Sequence, residues 1–397
     1  MDNNWKEFTL GDLQEEQPKR IAPKRKKRRW LFLGIAAAVA LIAVAVALLW
    51  DQSSFDGLRR SIIYAKAQKD ESGCARLYEY TGDKTSRFAV LDGSLATVSA
   101  QDVLLQGEGG TALYQKSVHF LHPAMECGGG IAAAYDIGGT EVYVMDSRGL
   151  LWSEELGGEI YALSVSRQGQ VAVTYHKSGY KAAVCVYDTA GQPQFEYDSA
   201  DRFLADAALS RDGRSLASAT VGQQSGEFAG ALVLYKLSSE KPTASITLSG
   251  SLVYDVGTVD SNFCAVTDTA LYFATPSGNL TGFYSYGDDY LRRCSLSGSG
   301  YAALLLGHYR TGSLGTLLTV DCDGAELARL ELDSEVLDMS ASGRYIAVLY
   351  ADRLTIYDKA LQEVANLPDV SAARQVLMRE DGSAVLAGTS GASLYLP

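Results

Sequence analysis

The chain has 397 residues, 47% of them hydrophobic and 21% charged, with a formal net charge of −12. Residues 1–29 hold nine Lys/Arg and five Asp/Glu, which leaves 26 basic and 42 acidic residues in the remainder, a balance of −16. So acidic a remainder argues against nucleic acid or anionic lipid as its partner, because phosphate binding needs clustered cations.

Residues 1–29 are polar, mix both signs of charge and lack an apolar period. They are expected to be a disordered, basic cytoplasmic tail. The tail ends in Lys24-Arg25-Lys26-Lys27-Arg28-Arg29, and Leu31 to Leu49 then carries no charge and no proline. Such a stretch spans roughly 30 Å as a helix, the hydrocarbon thickness of a bilayer. Trp30 and Trp50 bracket it as interfacial indoles. Residues 30–50 therefore predict a transmembrane signal-anchor helix. The positive-inside rule puts 1–29 in the cytoplasm and 51–397 outside a single-pass cell membrane, with the lipid bilayer as one partner. Two other readings exist: a signal peptide cleaved near 43–47, and a nuclear-localisation or nucleic-acid patch at 24–29. The apolar run exceeds an ordinary signal-peptide core, and the basic run abuts it, so the anchor is preferred. The same run can also hold anionic lipid at the inner leaflet.

Phe55, Leu58, Ile62 and Ala65 fall at helical spacing, Ser53 or Ser54 can cap the start and Gly73 can end the helix. Residues 51–75 thus predict a juxtamembrane helix or stalk. From 76 the texture is all-β: short Val/Leu/Tyr/Ala runs alternate with Gly/Asp/Ser turns. Seven units repeat a strand end, a tight glycine turn and a small-residue apolar strand, with turn glycines at 93, 130, 169, 213, 300, 343 and 382. Between Gly213 and Gly300 the segment VDSNFCAVTD supplies an eighth unit, with Asn262 in the glycine's place. Glycine or Asn is what a turn needing positive φ selects. A second marker is an Asp-containing turn one strand later, as in VYVMDSRG (142–149), VCVYDTAG (184–191), LTVDCDG (318–324) and LTIYDKA (354–360).

Units of about 40 residues with four strands each predict an eight-bladed β-propeller over 76–397; seven blades, with one unit merged, is the alternative. The last unit has only three strands, so Arg76–Tyr80 is expected to supply its outer strand and close the ring.

The loops between second and third strands are the long, chemically varied ones: 174–181, 222–230 and 307–315. They carry the candidate binding residues His176, Lys177, Tyr180, Gln223, Gln224, Glu227, Phe228, His308, Tyr309 and Arg310. The glycine and Asp turns opposite are short and monotonous, and loops on a rigid scaffold commonly hold function. The plainer reading is tolerated surface insertions.

Cysteines 74, 127, 185, 264, 294 and 322 show no C-x-x-C or metal-ligand spacing. They are expected to be unpaired, with Cys264 and Cys294 the pair best placed by neighbouring units. His119, His122, His176 and His308 are scattered, and Asp321, Asp323 and Gly324 match only a fragment of a calcium loop. No catalytic residue, cofactor ligand or metal site is expected. The inner strands read LSVS, AALS, SLSG and LDMSAS, short of charge.

At DSRGLLWSEELGGEI (146–160) the chain resembles the outer-strand motif of quinoprotein-like propellers, through Trp152. With SFDGLRRSIIYAKAQ, RFAVLDGSL and LMREDGSAVL, it resembles an uncharacterised family of membrane-anchored, WD-like propeller proteins of anaerobic Gram-positive bacteria. That resemblance implies the fold and brings no activity, and the quinone does not carry over. The expected function is a binding or scaffold module of the cell envelope with a protein or glycan partner. Alternatives are a propeller enzyme acting on a cell-surface glycan, or an extracellular sensor.

Overall fold

Among the described residues, thirty-two strands form eight separate four-stranded antiparallel sheets, one for each repeat found in the sequence. The chain is described here from a computed structural model covering 73–397 apart from 108, 225 and 226, and before that 34–37, 39, 40, 56, 57, 60, 64 and 70. The expected tail 1–29 and most of the expected span 30–50 lie outside the described residues. Residues 34–37, 39 and 40 are helical, and no helix among the described residues is long and apolar enough to cross a membrane. Of the expected stalk, 56, 57 and 60 are helical, and its last residues already belong to a strand that starts at Cys74.

Blades 1 to 7 occupy 87–117, 123–155, 160–199, 203–249, 253–285, 290–331 and 336–368 in chain order. Blade 8 takes its three inner strands from 373–395 and its outer strand from Cys74–Glu79, which pairs antiparallel with Gly391–Tyr395. The ring closes as expected, two residues earlier than Arg76. Within blades 1 to 7 the order is inner strand, tight turn, second strand, loop, third strand, turn, outer strand, the first turn carrying a marker glycine except in blade 5 and the last an Asp in blades 2, 3, 6 and 7.

Each blade interface has its own apolar cluster, and these eight clusters form the core. Successive side chains of a strand point to opposite faces, so a middle strand serves two interfaces. In Ala182–Tyr187, Ala183, Cys185 and Tyr187 pack toward blade 2 while Ala182, Val184 and Val186 pack toward blade 4. Being buried on both faces, such strands read as unbroken apolar runs with no polar alternation.

The two turn markers have separate causes. Leu91 pairs with Ser94 across Asp92 and Gly93, which both take positive φ (42° and 90°), the geometry a two-residue hairpin requires. All seven marker glycines have positive φ. In blade 5 the left-handed position falls on Asp260 (φ 52°) and not on Asn262, which opens the next strand. The Asp turns are closed by their own carboxylates: Asp188 Oδ1 accepts from the N–H of Ala190 and of Gln192, and Asp358 Oδ1 from Ala360 and Gln362. Asp321 does the same with Asp323 and Ala325, so its calcium-like spacing is a turn device.

The outer strand of one blade packs on the Asp turn of the next. The Trp152 and Tyr187 rings meet tilted, with centroids 5.3 Å apart, and a Cβ on Gly191 (φ +77°) would sit 2.8 Å from Trp152 Cγ. Cys127, Cys185, Cys264, Cys294 and Cys322 are free thiols, the last three sharing the apolar cluster between blades 5 and 6.

Candidate functional site

The glycine turns and Asp turns lie on one face of the ring, and the second-to-third and outer-to-inner connections lie on the other. The turn face is drawn tight. A Cβ on Gly128 or Gly129 would strike the backbone oxygens of Val165 or Arg167 in the next blade. Ser299 donates its N–H to Gly343 O, and Arg167 Nη2 reaches Glu380 Oε1 at 3.8 Å from blade 3 to blade 8. A contact between non-neighbouring blades makes this end of the channel narrow. Arg60 and Tyr64 also sit here: Arg60 Nη1 donates to Asp381 O at 2.7 Å, and Tyr64 OH to Asp381 Oδ2 at 2.9 Å. The chain therefore enters the propeller at its turn face.

The loop face is open and apolar in patches. Leu121, Ile137, Tyr180, Phe203, Leu252, Tyr254, Tyr290, Tyr309 and Leu314 are exposed there, Tyr309 by 75% and Tyr254 by 61%. Among the described residues, no glycine or Asp turn exposes a large apolar side chain; the others lie on outer strands or before residue 40.

Inner-strand bulges explain part of this pattern. In blades 3 to 8 the inner strand shifts register by one residue near its loop-face end. The unpaired residue is Tyr161, Ala205, Tyr254, Arg292, Leu337 or Arg374, and a bulge re-aims such a side chain. Tyr254, Arg292 and Arg374 are exposed.

The structure does not gather the ten sequence-derived residues into one pocket. His176, Lys177 and Tyr180 lie on the blade 3 loop. Lys177 is committed: its Nζ donates to Glu196 Oε1 (2.6 Å) and Asp198 Oδ1 (2.9 Å), which holds its pKa above the ordinary lysine range, and it lies 5.7 Å from the Tyr180 ring. Gln223, Gln224, Glu227 and Phe228 are not on a loop at all. They end a hairpin of two ten-residue strands, with Gln223 opposite Phe228 and Gln224 opposite Glu227.

His308, Tyr309 and Arg310 open the blade 6 loop. His308 bridges two carboxylates, Asp289 Oδ1 (3.0 Å from Nδ1) and Glu331 Oε2 (3.2 Å from Nε2). Hydrogen bonding to Asp289, then Glu331, raises its pKa. Arg310 lies over the Tyr290 ring at 5.7 Å, and Tyr309 O accepts from Arg292 Nη2 at 2.6 Å.

The channel corrects a further expectation. The inner strands are not short of charge: they carry Glu126, Asp206, Asp255, Arg292, Arg293 and Asp338. An inner strand has a free edge whose N–H groups need acceptors. Asp206 Oδ2 accepts from Val256 N (2.8 Å) and Asp338 Oδ2 from Val376 N (2.9 Å), each in the next blade. Ser340 and Ser295 serve Met378 and Ala341 likewise. Burial raises the pKa of both aspartates. Glu126 stands on an inner strand with its side chain exposed to solvent, and the surrounding protein mass followed by the charge of Asp255 pushes its pKa up to about 8. Among the described residues no group of three or more His, Cys, Asp or Glu could hold a metal ion.

Sequence reasoning missed the ends of the outer-to-inner connections and the first residues of the inner strands, which supply Leu252 and, on the strands, Phe203, Tyr254 and Tyr290. The available signal was an aromatic at the start of successive inner strands, as in RFLAD, LVYDV and DYLRR.

Eight sheets, closed by the strand preceding the first blade, define the chain as an eight-bladed β-propeller. It belongs to a family of unknown function (DUF5711), whose profile matches residues 69–366. BamB from Moraxella catarrhalis is similar, with TM-score 0.53 and 14% identity over 81% of this chain and 98% of that one. The C-terminal WD40 domain of Sif2 is similar with TM-score 0.59 and 12% identity over 82% and 98%. These likenesses concern the fold alone. No curated protein matches the chain.

Proposed function

We propose that this propeller is a binding or scaffold module that receives a protein partner on its loop face. Residues 51–397 are held outside the cell membrane by the apolar stretch 30–50, with 1–29 in the cytoplasm. The observation that carries the reading is the segregation of exposed apolar side chains onto the loop face and away from the turns. Exposed apolar patches edged by polar groups mark interaction surfaces, and aromatics dominate their energetics. The seat of Arg60 and Tyr64 supports it, because a chain entering at the turn face leaves the opposite face clear.

Protease added to intact, wall-stripped cells should remove the propeller and spare an N-terminal tag; a protected propeller would refute the orientation. Replacing Phe203, Tyr254, Tyr290 and Tyr309 together with Ser should abolish capture of a cross-linked protein partner while the ring stays folded. Unchanged capture would refute the surface.

A second reading, catalysis in the funnel on a cell-surface glycan, draws on Glu126, whose raised pKa suits proton transfer near neutral pH. Under that reading Glu126→Gln, and no loop-face variant, would abolish the phenotype.

A further inference from the structure

We propose that the groove beside the blade 6 loop is an anchor for an acidic side chain of an extended peptide, held by Arg292; this rests on the loop-face reading above. The groove has a volume of about 350 Å³ and is lined by Arg292, Arg293, Leu305, Leu314, Glu335 and Val336 among others. Its two arginines are in different states. Arg293 is consumed within the fold: Nη1 donates to Asp338 Oδ1 at 3.0 Å, and Nη2 to Leu337 O. Arg292 pairs with no carboxylate among the described residues, and its hydrogen bond is to a carbonyl, Tyr309 O at 2.6 Å.

Arg292 is nevertheless placed. It is the bulged residue of its strand, re-aimed by the register shift between Leu291 and Arg293. Its guanidinium lies over Gly307, where a Cβ would overlap Nε and approach Cζ to 3.1 Å. One amino group is tied to the loop, and the rest of the five-donor fork is left for a ligand. A guanidinium held in this way loses little freedom on binding a carboxylate, whose two oxygens match the fork. Beside it, Leu305, Leu314 and Val336 offer aliphatic contact. One usable cation next to aliphatic walls suits a single Asp or Glu flanked by an apolar residue. A polyanionic glycan would meet Glu335 and find no row of cations.

The test is fluorescence anisotropy on the full chain with a labelled Gly/Ser peptide carrying one Leu-Glu-Leu unit, a Leu-Gln-Leu counterpart and a polyuronate oligosaccharide. Saturable binding of the Glu peptide is expected, at least ten-fold tighter than the Gln peptide and weakened by salt. Arg292→Gln should lose ten-fold or more and Arg292→Lys less. Gly307→Ala, which displaces the guanidinium without deleting it, should lose several-fold, and Arg148→Gln on the turn face nothing. Equal binding of the two peptides, preference for the polyuronate, no binding, or an Arg292→Gln variant that binds normally would each overturn the proposal. Because the serine set on Phe203, Tyr254, Tyr290 and Tyr309 leaves Arg292 intact, unchanged partner capture by that set with normal peptide results would refute the loop-face partner surface alone, whereas loss of capture with no preference for the Glu peptide would refute the Arg292 anchor alone.

Discussion

The two faces of this ring are made from the same repeating strands yet obey different constraints. On the turn face the connections are short, glycines hold left-handed geometry against the neighbouring backbone, and Arg167 and Glu380 link distant blades. On the loop face the connections vary in length, apolar side chains face water and Arg292 and Arg310 pair with carbonyl and ring. The contrast teaches that one face is spent on closing the ring, which leaves the other free to vary.

The largest expected effect breaks the closure itself. Removing residues 74–79 exposes a full strand edge on blade 8 and empties part of its apolar cluster with blade 1. Stability should fall by several kcal/mol or the monomer fail to accumulate. An unchanged melting temperature would mean the ring does not depend on this strand.

Glycine substitutions on each face sharpen the comparison. Gly191→Ala drives a Cβ to 2.8 Å from Trp152 Cγ at φ +77°, and should cost about 2 kcal/mol or more in denaturant unfolding. Gly179→Ala, at φ +88° with open space around it, carries only the backbone strain, about 1 kcal/mol. Equal costs would erase the difference in packing between the faces.

The channel makes a pH prediction. A carboxyl whose folded pKa is about 8 stays protonated in the folded state while the unfolded chain ionises near 4.5. The folded state then binds more protons between these values, so stability falls as pH rises through that window. Glu126→Gln should flatten the fall and stabilise the protein at pH 8 by roughly 1–2 kcal/mol, discounted because water reaches the group along the axis. A Gln variant with unchanged pH dependence would place Glu126 in ordinary solvent.

The smallest effect is local. His308 should titrate by NMR above the unfolded-chain value, and Glu331→Gln should lower its midpoint. Its pairing with Asp289 and Glu331 is complete below the unfolded pKa and is lost as pH rises through the folded one. No shift between wild type and variant would remove Glu331 from the bridge.

Much of the scaffold was legible because tight hairpins force positive φ and so favour glycine: seven marker glycines, with the double gap between Gly213 and Gly300, gave the blade count and phase. Asn262 misled for the same reason, since Asp260 tolerates the left-handed region and stands in for glycine there. The stretch 222–230 looked like a loop because Gly222, Gly226 and Gly230 resemble turn residues, whereas the blade 4 hairpin extends its ladder through it. The site was less legible. A bulge leaves no period-two signature, so the re-aiming of Tyr254 and Arg292 could not be read. Channel carboxylates such as Asp206 look like ordinary strand polar residues until the free edge of the next blade is in view.

The division of labour between the faces is tested most directly by site-specific photo-cross-linking in intact cells, with one reactive residue at a time replacing Phe203, Tyr254 or Tyr309 on the loop face, or Arg148, Arg344 or Lys359 on the turn face. A discrete protein adduct from the loop-face positions and none from the turn-face positions is the expected result. Adducts from the turn-face positions alone would contradict the assignment.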